Sequence, residues 1–309
     1  MRPEDSLRPI LHSKRAQVYY LEHCRVIVRG GGVEYVTSED NRESYWNIPI
    51  ANTTFLLLGN GTAITQAAMR LLAQAGVPVG FCGGGGTPLY AGVDPFWVTP
   101  QSEYQVTAYL HRWMTLWMDE GKRFKAAKTL QTRRLSFTEK WWASHHFQSQ
   151  GFSPTSLDNA AETFETGVSA SKSTEQLLGY EGAWTKTLYA LASKATKYGD
   201  FQRDPDALDR ANQFLNHGNY LAYGCGAVVT WALGLHPGLA ILHGKTRKGG
   251  LVFDFADIIK DGVILPQAFI SASKGHSRRE FRGACLDLLM NLGGIQAIFD
   301  TALEIAECE

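Results

Sequence analysis

The nonamer LVFDFADII, Leu251–Ile259, limits the folds open to this chain more than any other stretch, because two carboxylates interrupt an otherwise apolar run. Asp254 and Asp257 are three residues apart and share one face if the segment is helical. Burying them among Leu251, Val252, Phe253, Phe255, Ile258 and Ile259 is unfavourable without compensation, since desolvation disfavours the ionised form. Positive charge therefore belongs nearby. The preceding segment offers two sources: the loop cations Lys245, Arg247 and Lys248, or a bound cation that His243 also ligates. A plainer reading stands beside this one, with Asp254 as a helix cap, Asp257 as a first-turn acid and His243 as a core histidine.

A chain of 309 residues suits two domains. The first hundred residues carry short β-branched or aromatic runs: Arg15–Tyr20, Cys24–Arg29, Val33–Val36, Trp46–Ile50 and Thr54–Leu58. The GNGT turn then leads into a helix expected over Ala63–Ala75, closed by Gly76, and Val77–Phe81 reads as a buried strand. Gly83–Gly86 lacks the GxxxxGK[ST] pattern of a phosphate cradle and reads as a hairpin turn into Thr87–Ala91. From Gln101 onward the chain is helical in pattern. Tyr104–Glu120 reads as one helix buried on much of its circumference. The expected fold is therefore α+β, with an N-terminal β-rich domain over residues 1–100 and an all-helical domain over 101–309.

Lys+Arg and Asp+Glu are both 30, but they are unevenly placed. Arg112–Lys140 holds eight basic residues against three acids, and the last 59 residues hold five against nine. The basic run suits either a solvated helix face or a phosphate-contacting surface. Five scattered cysteines without a CxxC favour a reducing cytosol over disulfides or zinc. MRPEDSLRPI lacks a signal-peptide core. Leu221–Leu242 has no charged residue but is broken at Pro237, leaving too short a helix for a ~30 Å membrane core; no membrane partner is expected.

A third acid completes the pattern. Ser171–Tyr198 reads as a helix opened by a Ser173/Gln176 capping box, with the stripe Leu177, Trp184, Leu188, Leu191 and Ala195. Glu181 lies four after Leu177 and three before Trp184, on the core face. Gly179 and Gly182 each sacrifice roughly 1 kcal/mol of helix propensity, as expected where something approaches the backbone closely. Glu181, His243 and Asp257, with Asp254 beside them, form an oxygen-rich set with one imidazole, which suits Mg²⁺ or Mn²⁺ and phosphodiester chemistry.

Several segments, in order, resemble the CRISPR-associated adaptation integrase family, Cas-one. They are LLLGNGTAITQAAMRLLAQAGVPVGFCGGGG, KRFKAAKTLQTRR, LLGYEG, NYLAYGCG, and GLAILHG followed by LVFDFADIIKD. The resemblance implies Glu181, His243 and Asp257 as metal ligands and Asp254 as a further catalytic-site acid. It also implies an asymmetric homodimer in the cytoplasm, acting on double-stranded and branched DNA. The implied activity is metal-dependent endonuclease and integrase chemistry that joins 3′-hydroxyl ends of a short DNA to a CRISPR repeat. The implied partner is Cas-two, and the wording is closest to the type I-F branch, where that partner is fused to the helicase-nuclease Cas-three. The chain departs from many members at Gln66, where a histidine is common, and in the Gly83–Gly86 turn, where an acid is common. Lys245, Arg247 and Lys248, with the cluster Lys274, Arg278, Arg279 and Arg282, are the expected DNA contacts. Two other functions fit the same residues: a stand-alone nuclease selective for branched DNA, and a non-catalytic DNA-binding scaffold.

Overall fold

The short β-branched and aromatic runs of the N-terminal third form two small sheets. A computed structural model of the chain describes residues 15, 17–39, 42–83, 96–100, 107–244 and 249–307. Two units, Met1–Gln105 and Val106–Glu309, divide the chain. In the first unit the strands are β1 (Gln17–Leu21), β2 (Cys24–Arg29), β3 (Gly32–Glu39), β4 (Arg42–Ile48), β5 (Thr53–Leu58), β6 (Ala63–Ile64), β7 (Val79–Phe81) and β8 (Phe96–Val98). One sheet has the order β1-β5-β7-β8 and the other β4-β3-β2-β6.

Strand β5, TTFLLL, is buried at every position because it runs parallel to a neighbour on each side. Helix α1 (Gln66–Gln74) crosses from β6 to β7 and starts where the Thr65 side chain accepts from the Ala68 amide. The helix therefore begins three residues later than its apolar pattern suggests; Ala63–Ile64 pairs with Arg25–Val26 instead. Buried Arg15 donates to the carbonyls of Ala75 and Gly76 at the far end of α1 and to that of Thr53 on β5, tying helix to sheet. Gly84–Gly86 and Thr87–Ala91 lie outside the described residues.

The second unit is helical: α2 (Ala108–Met118), α3 (Glu120–Trp142), α4 (His145–Gln148), α5 (Asp158–Ala170), α6 (Thr174–Thr196), α7 (Arg210–Ala232), α8 (Gly250–Ile259), α9 (Leu265–Ser273), α10 (Arg278–Asn291) and α11 (Gly294–Glu307). The expected single helix over Tyr104–Glu120 breaks at Asp119, whose extended backbone lets its side chain cap α3 through the Lys122 amide. Only Trp113 and Leu116 of α2 are buried, and the stripe of His111, Thr115 and Met118 faces solvent. Broad burial is thus not what holds α2. Its Trp113 and Trp117 indoles instead donate to the carbonyls of Leu239 and Ala240, at 3.0 and 2.9 Å.

Helix α8 is the core of this unit, buried at all ten positions, as an all-round apolar helix should be. A π turn, Lys260–Ile264, joins it to α9. Pro266 lacks an N–H and would crowd the Gly262 carbonyl in a regular helix, and the widened turn just before it relieves that conflict. Helix α7 crosses α8 at Gly226, where an added Cβ would lie 2.6 Å from the Val252 carbonyl oxygen. Gly226→Ala is therefore expected to separate the two helices and cost about 1–3 kcal/mol, read as a lowered midpoint of thermal unfolding. Among the described residues, no helix is long and apolar enough to cross a membrane.

Candidate metal centre

The centre is assembled from three segments that the fold brings together: mid-α6, the segment after Leu239, and α8. One ligand atom from each of Glu181, His243 and Asp257 lies within 4.8 Å of the others. Asp257 is buried, and Glu181 and His243 are half-buried. A cleft of about 130 Å³ lies over them, lined also by Arg134, Thr185, Tyr189, Asn219, Lys260 and Asp261.

Asp254 fixes the histidine segment. Fully buried on α8, it accepts hydrogen bonds from the amides of Ile241 (2.6 Å), Leu242 (3.2 Å) and His243 (3.1 Å). Its Oδ1 is also 2.7 Å from His243 Nδ1. A carboxylate only accepts, so a neutral His243 carries its proton on Nδ1 and turns the Nε2 lone pair inward. Nε2 is 3.4 Å from Asp257 Oδ2. Burial alone would lower the His243 pKa; the hydrogen bond to Asp254 and the charges of Asp257, Asp254 and Glu181 outweigh it and raise it.

Asp257 occupies the next turn of α8. Its Oδ1 contacts the Lys260 ammonium, while its buried Oδ2 has no hydrogen-bond partner among the described residues. Burial would push this carboxyl up, but Lys260, Arg134 and His243 hold it below the usual range. Burial likewise disfavours a charged Lys260, yet Asp257 keeps its pKa raised. Arg134 of α3 donates to Glu181 Oε1 (2.7 Å) and Asp261 Oδ2 (2.6 Å), and Trp184 Nε1 also donates to Asp261 Oδ2 (2.9 Å).

These residues fit a divalent cation. An orphaned, buried carboxylate oxygen faces an imidazole lone pair, and a second carboxylate lies within reach. The charges of Glu181, Asp254, Asp257 and Asp261 exceed those of Arg134 and Lys260 by two when His243 is neutral, which a dication balances. Three protein ligands would leave a divalent ion free to take water or substrate oxygens as well.

The structure brings together the histidine and the three acids that the sequence pattern singles out, with Asp254 on the Nδ1 side of the imidazole and Asp257 and Glu181 grouped with His243 as the facing ligand atoms. Asp261, four residues beyond Asp257, together with Lys260 and Arg134, escaped the sequence reading. The spacing Asp254, Asp257, Asp261 was the available signal for the first, since it continues one helical face. No described residue approaches the backbone closely at Gly179 or Gly182: an added Cβ at either meets nothing within 4 Å among them. The Ser173 capping arrangement is split, because Gln176 Oε1 accepts from the Lys172 amide rather than from Ser173. Lys245, Arg247 and Lys248 lie outside the described residues. Lys274, Arg278 and Arg279 are exposed around the start of α10, Arg282 is half-buried one turn on, and none of the four lines the cleft. Much of the basic run is engaged within the fold: Arg133 pairs with Glu304, Arg123 donates to the Trp117 carbonyl and Lys128 to that of Ser169.

A strand-rich unit followed by a helical unit that holds a carboxylate–imidazole cation site defines a metal-dependent α+β protein of the kind that acts on phosphodiesters. Residues 19–283 match the family described as CRISPR associated protein Cas1, and the chain belongs to that family. CRISPR-associated endonuclease Cas1 of Pseudomonas aeruginosa (strain UCBPP-PA14) is 53% identical, over 97% of this chain and 96% of that protein. Among solved structures, the TtCas1–DNA complex has the same fold, with a TM-score of 0.71, 23% identity, and coverage of 95% of this chain and 92% of that one. A chain of the Cas6-RT-Cas1–Cas2 complex shares the fold over 94% of this chain and 34% of its own length, with a TM-score of 0.64 and 14% identity. The function is accordingly that of a Cas1-type metal-dependent DNA endonuclease and integrase of CRISPR adaptation.

Proposed function

We propose that Glu181, His243 Nε2 and Asp257 hold one Mg²⁺ or Mn²⁺ and that the chain inserts short DNA at a CRISPR repeat by 3′-hydroxyl strand transfer. The observation that carries this is Asp257 Oδ2, without a hydrogen-bond partner among the described residues, facing His243 Nε2 in a cleft that Glu181 also lines. The bound ion would supply the charge that makes an attacking oxygen more acidic and offsets charge on the phosphate. Asp254 keeps the His243 proton on Nδ1, so that Nε2 remains a donor to the ion. Lys260, charged and lining the cleft, adds a fixed cation beside the place a phosphate would occupy.

The partners proposed are double-stranded and branched DNA, a second copy of the chain, and Cas2, in the type I-F arrangement where Cas2 is joined to the Cas-three helicase-nuclease. The naming of solved Cas1 relatives with DNA and with Cas2 supports the first and third. The N-terminal unit is the proposed surface for the dimer and for Cas2, in the cytoplasm.

The test supplies a short duplex with free 3′-hydroxyls, a repeat-containing target and Cas2, with Mg²⁺ or Mn²⁺. Joined products that vanish on chelation are expected. Hydrolysis without joining would identify a stand-alone nuclease, and DNA binding without turnover in any divalent ion would identify a scaffold. Lys245, Arg247, Lys248 and the α10 cluster are proposed to hold DNA phosphates. Replacing Lys274, Arg278 and Arg279 by Ala is expected to weaken binding evenly across sequences. It should also flatten the slope of log affinity against log salt by about one for each phosphate no longer neutralised, measured between roughly 50 and 200 mM salt.

A further inference from the structure

Arg134 is almost fully buried (2% exposed), and all three of its guanidinium nitrogens donate hydrogen bonds. Two of these go to α6, to Glu181 Oε1 at 2.7 Å and to Thr185 Oγ1, one turn further on, at 3.3 Å. The third goes to Asp261 Oδ2 at 2.6 Å, one turn beyond Asp257 in the segment that continues α8. Asp261 is itself fixed, because its carboxylate accepts from the Trp184 indole at 2.9 Å and its carbonyl from the Trp142 indole at 3.0 Å. The guanidinium therefore ties the helix that carries Glu181 to the helix that carries Asp257.

That tie answers a physical problem. His243 is moored to α8 through Asp254, but the hydrogen bond that the Glu181 carboxylate makes among the described residues is to Arg134. Carboxylates whose oxygens lie within 4.8 Å of each other repel until an ion is bound. Something must hold Glu181 in place before then. A cation on a metal ligand also weakens that ligand's attraction for the metal, so Arg134 is better suited to setting position than to attracting an ion. The planar fork of an arginine presents donors on three separate nitrogens in fixed directions to two carboxylates and a hydroxyl, whereas a lysine's three donors all radiate from one nitrogen.

We infer that Arg134 is a positioning residue for the metal centre: seated on Asp261, its guanidinium holds the Glu181 carboxylate toward His243 and Asp257 before an ion arrives. This rests on Glu181, His243 and Asp257 being the ligands. Arg134 thus acts through Glu181.

The test is calorimetric titration of Mn²⁺ into the metal-free full-length chain and two variants. Arg134→Met combined with Asp261→Asn removes one positive and one negative charge, so the net charge is kept, the fully buried Asp261 is not left as an unpaired anion, Glu181 alone loses its cation at the edge of the cleft, and the new carboxamide still accepts from Trp184. Arg134→Lys keeps the charge but not the fork. Both variants, checked as folded by thermal melting, are expected to bind Mn²⁺ about 10–100-fold more weakly than the parent. A role in charge balance or packing alone would leave affinity unchanged in both. A folded variant that binds within about twofold of the parent, a difference worth less than half a kcal/mol, overturns the inference. If the double variant does not fold, Arg134→Lys decides it. Failure of the parent chain to bind Mn²⁺ would instead reject the ligand set itself.

Discussion

Asp257→Asn is expected to reduce DNA cleavage and joining about a thousandfold while leaving the protein folded. The substitution is isosteric but removes the charge from Oδ2, the buried oxygen that faces His243 Nε2 without a hydrogen-bond partner among the described residues. A ligand lost from a catalytic dication forfeits several kcal/mol of charge stabilisation, and each 1.4 kcal/mol is a factor of ten in rate. Stability should change much less. Lys260 loses its carboxylate, but its side chain is 21% exposed and can recover hydration at the cleft. A cost of about 1–2 kcal/mol corresponds to roughly 2–8 °C in a unit of this size. Near-parental strand transfer by this variant with Mg²⁺ or Mn²⁺ would remove Asp257 from the chemistry.

Asp254→Ala is expected to behave in the opposite way, with a large loss of stability accompanying the loss of activity. Four donors converge on this carboxylate: the amides of Ile241, Leu242 and His243, and the His243 ring. Each donor left unsatisfied in the interior costs about 1–3 kcal/mol, reduced where the loop relaxes toward water. A net loss of about 3–5 kcal/mol would lower the melting temperature by roughly 10 °C or more. Mn²⁺ affinity should fall with it, because His243 loses both its anchor and the partner that fixes its tautomer. The two aspartates share one face of α8, yet one holds the loop and the other faces the cleft. A melting curve with an activity assay separates them, and an Asp254→Ala protein as stable as its parent would contradict the anchoring role.

The legible part of this site was the part written as local contradiction. Asp254 and Asp257 stand out because they interrupt an apolar nonamer, and Glu181 because it splits an otherwise regular stripe between Leu177 and Trp184. Arg134 carries no such mark. It sits in a run of basic residues of which most lie at the surface and one, Arg123, turns in only as far as the Trp117 carbonyl, and its carboxylate partners lie 47 and 127 positions away. Helical period shows which residues share a face of α3, but not which of several cations the fold will draw inward. Glycine misled in a related way. Gly179 and Gly182 sit near the ligand Glu181, but low helix propensity does not reveal whether a neighbour fills the space, and none does among the described residues. In the N-terminal unit, the β-branched and aromatic content of short runs located most strands. It carries no pairing information, so the parallel contact of β1 with β5 and the split into two sheets emerged only from the fold. The break at Asp119 was legible in principle: an aspartate three residues before Lys122 can cap a helix as readily as continue one.

The most direct measurement is anomalous diffraction from crystals grown with Mn²⁺. A single strong peak is expected with Glu181, His243 Nε2 and an Asp257 oxygen at about 2.0–2.3 Å, the distances usual for a small divalent ion and its oxygen and nitrogen ligands. Lys260 should remain on the other Asp257 oxygen. A peak elsewhere, or no peak in crystals of protein that cleaves DNA with Mn²⁺, would contradict the assignment of this cluster as the metal centre.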